Sequence, residues 1–205
     1  MTATTEAEVT DLLVSSIGPA CHELRGPLAA AYGFGKMLEA RTAGDETTAR
    51  YVEHVVRGCE RLDAMLDSLA QLGRIAAGRT HPAPDSVHLH RAVEGAVAAG
   101  MLGEGVSIGD GDEVHVRADP DWLERALSGL MSELRYDDAI DLTVSWTHTP
   151  HDVSLRIVAS ETLPHADMEA GSSGLDTALA RAQVASMGGS VDVIDGGVLV
   201  RIPRS

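Results

Sequence analysis

The chain has 205 residues, of which 44% are apolar and 23% are charged, and this balance is typical of a folded globular protein rather than a disordered one. Its formal net charge of −15 repels phosphate backbones, so the composition disfavours nucleic acid as a partner. Because the sequence has no apolar run of about 18 residues and no signal-peptide pattern, we expect a cytoplasmic protein without a membrane partner.

Two long helices are predicted in the N-terminal part. Apolar residues recur at helical spacing between about residues 5 and 41, and again between 51 and 74, where the steps alternate between three and four residues. Gly44 and Asp45 fit the end of the first helix and the cap of the second. A loop this short folds the helices into an antiparallel hairpin. Since a single hairpin covers each apolar face on one side only, we expect a homodimer that forms a four-helix bundle.

A linker and a second domain follow. The segment "AAGRTHPAPDSV" contains two prolines and no periodicity, so we place the domain boundary there and predict domains over residues 1–80 and 81–205. Beyond it, short alternating segments that predict strands are interspersed with helical patterns, and Gly196-Gly197 fits the turn of a final hairpin. The order of these elements predicts an α/β sandwich.

Metal binding is not predicted. Cys21 and Cys59 are far apart and lie within apolar helical patterns, which favours small buried side chains over a disulfide or metal role. The nine histidines are scattered along the chain. The "HLH" sequence at 88–90 would point two imidazoles the same way from a strand, but one such pair is weak evidence for a metal site.

The stretch "CHELRGPLAAAYGFG" at 21–35 holds the candidate catalytic residues. At about 100° per residue, His22 lies roughly 160° from Leu24, which marks the apolar seam, so His22 points outward. A lone outward histidine is usually an ordinary surface residue. Here, however, Glu23 is close enough to orient the imidazole and take its proton, as attack on a phosphoryl group requires. Pro27 should kink the helix just beyond this pair.

These residues resemble the H-box of sensor histidine kinases, whose pattern is His-Glu-Leu-Arg-x-Pro-Leu; six positions match, at 22–25, 27 and 28. The resemblance extends over about residues 6–202, because a second helix and an α/β lobe follow in the family's order. It implies an α helical hairpin forming a dimeric four-helix bundle, followed by an α/β sandwich resembling the histidine kinase ATP-binding lobe. It also implies that His22 accepts phosphate and that Glu23 is its acid/base partner.

The partners that this resemblance implies are receiver domains of response regulators, which would supply their own magnesium ion. Small side chains leave a smooth face beside His22, and part of the second helix faces it. We expect the receiver to dock on both helices, at Arg25, Gly26, Ala29, Ala30, Gly33, Arg57, Arg61 and Ala64. Gly26 stands where the family carries a Thr or Asn that positions a hydrolytic water, so we expect weak dephosphorylation of partners.

The second domain departs from the family where ATP is bound. Gly129 and Glu133 stand at the places of two asparagines, the second of which is a magnesium ligand in the family. Ser160 is near the place of an aspartate that binds adenine, and Asp176 replaces a glycine of the last glycine-rich motif. Added carboxylates oppose a polyphosphate, so we expect no ATP and no other cofactor.

Three functions remain open. The first is a histidine phosphotransferase that shuttles phosphoryl groups between receiver domains through His22 without ATP. The second is a divergent histidine kinase that still binds ATP, although autokinase activity is not expected from these motifs. The third is a dimeric adaptor that binds response regulators without phosphotransfer, and for such an adaptor an exposed imidazole beside a carboxylate has no use.

Overall fold

The computed structural model describes residues 6–41, 46–100, 102–109, 111–135, 140–160 and 174–205. Gly44 and Asp45, which we expected to end one helix and cap the next, lie outside the described residues. The chain divides into two compact units, Met1–Arg79 and Thr80–Ser205.

The first unit is the predicted helical hairpin. Helix α1 spans Glu6–Arg41 and continues through two internal prolines, and helix α2 spans Glu46–Ala76. Gly73 of α2 lies against Ile17 near the start of α1, whereas Gly35 near the end of α1 lies against Val56. The helices therefore run antiparallel, as the sequence predicts.

Small side chains line the contact between α1 and α2. Cys21 and Cys59 are buried free thiols, as expected, and Val52, Val56 and Ala70 are buried beside them. A Cβ atom added at Gly35 would lie 2.9 Å from Cγ2 of Val56. The absence of a side chain at this position therefore allows the two helices to approach closely.

Another part of the hairpin surface is apolar and open to solvent. We call it the apolar face, and its side chains are between 46% and 64% exposed: Leu13, Leu24, Phe34, Met37, Leu38, Tyr51, Val55, Leu62 and Met65. Among the described residues, every large apolar side chain with such high exposure belongs to this unit. An exposed surface of this kind marks an interaction site.

The second unit is an α/β sandwich, as predicted. Its larger sheet has the order β2-β4-β5-β7-β6, in which β2 pairs parallel to β4 and the other neighbours are antiparallel. A two-stranded antiparallel sheet joins β1 and β3. The strands are β1 Asp85–His88, β2 Val106–Ile108, β3 His115–Ala118, β4 Leu142–His148, β5 Asp152–Ala159, β6 Ser190–Ile194 and β7 Gly197–Pro203.

Helices cover one face of the larger sheet. They are α3 (Leu89–Ala99), α4 (Pro120–Leu134) and α5 (Leu175–Ser186). Along β4 and β5, buried residues alternate with more exposed ones, and the buried residues join α4 and α5 in one core. The Asp119 carboxylate caps α4 by accepting a hydrogen bond from the Trp122 amide, 3.1 Å away.

The predicted final turn is confirmed at Gly196, which has φ of 70°, but Gly197 already begins β7. Gly188, with φ of 81°, follows α5. The short strand β2 was missed by the sequence analysis. The histidine pair at 88–90 was misassigned, because β1 ends at His88, whose ring packs edge-on against His115, while His90 lies in α3 and packs against Trp146.

Two glycines near the end of α1 predict opposite effects on stability. Gly33→Ala should raise the free energy of unfolding by about 1 kcal/mol, because alanine is the better helix former and the added methyl meets no neighbour. Gly35→Ala should lose that gain to overpacking against Val56 and destabilise by up to about 2 kcal/mol. Urea unfolding followed by circular dichroism measures both, and equal stabilisation by the two substitutions would contradict the packing described.

Candidate functional site

His22 lies on an exposed strip of α1. His22, Gly26, Ala29 and Gly33 are spaced by four, three and four residues, so they follow one side of the helix, and all four are exposed. A Cβ atom added at Gly26 or Gly33 would meet nothing within 4 Å. The strip is therefore a smooth surface that another protein can approach without displacing any side chain.

A cavity of about 530 Å³ lies between α1 and α2 next to this strip. Three of the predicted docking residues line it, namely Arg25, Ala29 and Ala64. The rest of its lining is Leu28, Tyr32, Cys59, Glu60, Asp63 and Asp67. The structure thus brings residues of both helices together at a cavity that begins at Arg25, one turn along α1 from His22.

Acidic side chains from α2 dominate the polar lining of the cavity. The Arg25 guanidinium forms an ion pair with Asp67 and lies 3.8 Å from Oδ1 of Asp63. The Tyr32 hydroxyl donates a hydrogen bond to Glu60, with the oxygens 3.3 Å apart. Tyr32, Glu60, Asp63 and Asp67 were not among the predicted docking residues. The spacing at 25, 28, 29 and 32, and at 60, 63, 64 and 67, is the helical signal that could have indicated them.

Other predicted docking residues lie elsewhere on the hairpin. Ala30, Arg57 and Arg61 are exposed, and none of them lines the cavity. Arg57 is bonded to Glu53 one turn earlier, and this hydrogen bond raises the pKa of the guanidinium and lowers the pKa of the Glu53 carboxyl. An arginine already engaged in this way offers less charge to a partner.

His22 and Glu23 are both exposed. Within the part of the chain that the structure describes, no hydrogen bond or ion pair joins their side chains. Neighbouring side chains on a helix point about 100° apart, and the described contacts do not include the predicted one between the Glu23 carboxylate and the imidazole.

In the second unit, three of the residues that depart from the kinase pattern come together. Glu133, in the last turn of α4, accepts hydrogen bonds from the start of α5: from the Gly174 amide, from the Thr177 amide at 3.1 Å and from the Thr177 hydroxyl at 2.5 Å. A Cβ atom at Gly129 would lie 3.4 Å from Cβ of Asp176. These contacts pack α4 closely against the first turn of α5.

Ser160 does not belong to this group of contacts. It follows β5, and its hydroxyl accepts a hydrogen bond from the Asp141 amide at 3.1 Å, while its own amide donates to the Asp141 carbonyl at 2.8 Å. Across the described ranges, no three His, Cys, Asp or Glu side chains are grouped so that they could hold a metal ion. No helix within these ranges is long and apolar enough to cross a membrane.

The hairpin matches a known domain family. Residues 19–78 match the model of the His Kinase A (phospho-acceptor) domain. No curated protein sequence matches the chain significantly.

Solved structures share the fold at low sequence identity. Full-length ShkA, crystallised with AMPPNP, has a TM-score of 0.68 and 17% identity; the match covers 93% of this chain and 46% of that one. The Acinetobacter baumannii histidine kinase AdeS has a TM-score of 0.62 and 19% identity, with 90% and 97% covered. The histidine kinase ThkA, in complex with the response regulator protein TrrA, has a TM-score of 0.64 and 15% identity, with 97% and 64% covered. The chain thus spans about half the length of ShkA.

Proposed function

We propose that this chain is a histidine phosphotransferase of a two-component phosphorelay, because its hairpin matches the phospho-acceptor domain model and its fold is similar to that of solved histidine kinases. His22 takes a phosphoryl group from one receiver domain and passes it to another without using ATP. The observation that carries the proposal is the exposed His22 at one end of an open strip within the matched domain.

The transfer step needs a neutral imidazole and an aspartyl phosphate. The lone pair of one ring nitrogen attacks phosphorus in line, the bond from phosphorus to the aspartyl oxygen breaks, and the carboxylate leaves with the electron pair. Glu23 then accepts a hydrogen bond from the other ring nitrogen and balances the positive charge that develops on the ring. A magnesium ion held by the receiver would balance the phosphoryl charge. The same step in reverse passes the group to a second receiver.

The cavity next to His22 supports a receiver domain as the partner. ThkA, which has the same fold, forms a complex with a response regulator protein. In this chain the cavity combines an apolar floor with the carboxylates of Glu60, Asp63 and Asp67. We expect the receiver to place a basic side chain near these carboxylates, where it would compete with Arg25.

A homodimer follows from the position of the apolar face. At about 100° per residue, the leucines of this face on α1, Leu13, Leu24 and Leu38, lie roughly 60–100° to one side of the buried Cys21, while Phe34 and Met37 lie about 140–200° round in the same direction. The strip that begins at His22 lies about 80–140° to the other side. A second hairpin can therefore cover the leucines of the apolar face and complete a four-helix bundle while His22 stays accessible.

Two other functions make different predictions. A divergent histidine kinase has the same fold and the same phospho-acceptor domain, but it would phosphorylate His22 from ATP. An adaptor would bind receivers equally well without His22. Incubation with γ-labelled Mg-ATP and, separately, with a phosphorylated receiver distinguishes all three: label from ATP identifies a kinase, label from the receiver alone a phosphotransferase, and no label an adaptor.

Substitution of His22 tests the phospho-acceptor. His22→Ala should abolish uptake of the phosphoryl group from a phosphorylated receiver, while unfolding free energy changes by less than about 0.5 kcal/mol because the side chain is exposed. His54→Ala, which removes an exposed histidine from α2, is the matched control and should transfer at the wild-type rate. Acid-labile label on the His22→Ala protein would refute the assignment.

Bulk on the exposed strip tests the docking surface. Ala29→Trp should slow phosphotransfer by about 100-fold, because the indole would occupy the mouth of the cavity beside His22 and displace the receiver. Ala40→Trp places the same side chain on α1 about 17 Å further along the helix, about 27 Å from His22, and should leave the rate unchanged. If both variants transfer at the wild-type rate, the receiver docks elsewhere.

A charge on the apolar face tests the homodimer. Leu62→Glu should raise the dimer dissociation constant by about 100-fold or more. Each dimer would lose two leucines, one from each subunit, that the second hairpin would otherwise bury. Ala64→Glu adds the same side chain two residues away, on the cavity side of α2, and should remain dimeric. Light scattering coupled to gel filtration measures the mass of each variant; a monomeric parent protein or a dimeric Leu62→Glu variant would contradict this interface.

A further inference from the structure

The Glu133 side chain links the last turn of α4 to the first turn of α5. Its carboxylate accepts hydrogen bonds from the Gly174 amide, the Thr177 amide and the Thr177 hydroxyl. Thr177 is 1% exposed, so its side chain is directed into the protein towards Glu133 rather than into solvent. The Glu133 carboxylate thus accepts three hydrogen bonds from two residues at the start of α5.

The first turn of a helix is where an anion would otherwise be bound. Gly174 is the N-cap of α5, and its own carbonyl accepts the first helical hydrogen bond, from the Ala178 amide at 3.1 Å. In an α-helix the amides of the first four residues, here 174–177, have no carbonyl acceptor one turn earlier. Glu133 takes the first and the last of these four amides. The helix dipole adds a positive potential at the same place, and the carboxylate neutralises it.

The surroundings of this carboxylate leave little room for a second anion. Asp176 adds another negative charge to the first turn of α5, and its Cβ and carbonyl oxygen are close to Gly129. A Cβ atom at Gly174 would lie 3.0 Å from Oε1 of Glu133. Phosphate groups at this helix end would be repelled by the carboxylates of Glu133 and Asp176. They also could not bind the Gly174 and Thr177 amides, which already donate to Glu133. The nucleotide that the fold implies therefore does not fit this end of α5.

We infer that Glu133 is a built-in substitute for a bound phosphate: its carboxylate fills the anion site at the start of α5 and joins α4 to α5 without any ligand. The α/β domain is thereby held in one packing arrangement, and polyphosphate ligands are excluded from this helix end. This inference concerns the second unit only, so it stands or falls independently of phosphotransfer by His22.

Amide resonances of the full-length protein provide the test, with sodium tripolyphosphate as the probe. In the parent protein, the Gly174 and Thr177 resonances should not shift with added tripolyphosphate. Glu133→Gln keeps the shape of the side chain but removes its charge, and it should bind tripolyphosphate at least about tenfold more tightly, with saturable shifts at both amides. Glu113→Gln removes one charge from an exposed position in the same unit and should behave like the parent protein.

Hydrogen exchange gives a second measurement. The Gly174 and Thr177 amides should exchange at least about tenfold faster in Glu133→Gln than in Glu113→Gln, because the charged acceptor is lost. Saturable shifts of these two amides in the parent protein would overturn the inference even if Glu133→Gln failed to fold. The inference would also be overturned if the parent protein and both variants bound tripolyphosphate equally, or if the Gly174 and Thr177 amides exchanged at the same rate in both variants.

Discussion

The close contact between α1 and α2 is the constraint on which the rest of the hairpin depends. Gly35 and Gly73 let the two backbones approach, and Cys21 and Val56 fill the space between them. Since this contact fixes the rotation of both helices, it also decides where the remaining side chains point. The leucines of the apolar face are turned to one side and His22 to the other, so that the proposed dimer and the proposed partner would use different surfaces.

A different requirement organises the second unit, namely that amides at the beginning of a helix need an acceptor. A phosphate group can meet this requirement, and so can a carboxylate of the same protein. In this chain Glu133 meets it. Two unit charges 4 Å apart repel each other by about 4 kcal/mol at an effective dielectric constant of 20, so a carboxylate bound at this position strongly disfavours phosphate there.

Together these two features support the proposed function, in which His22 exchanges phosphoryl groups while the α/β domain does not use ATP. The hairpin keeps His22, Glu23 and an open strip, which the proposed exchange with an aspartyl phosphate would use. The acidic lining beside them, with Arg25 held by Asp67 and Asp63, gives a partner a surface of defined charge to recognise. The α/β domain keeps the fold of an ATP-binding lobe, while its own carboxylate stabilises the first turn of α5.

Local patterns in the sequence determined both long helices, the antiparallel hairpin, the helices and longer strands of the second unit, the turn at Gly196 and the outward direction of His22. These features depend on periodicity and on residues near one another in the chain. Strand β2 could not be predicted from periodicity, because three residues are too few to show an alternation. Its pairing with β4 joins residues about 36 positions apart in the chain. Tertiary structure alone paired Arg25 with Asp67, 42 residues away, and Glu133 with Gly174, 41 residues away. Contacts between residues so far apart are set by how the elements pack, and no local periodicity records that packing.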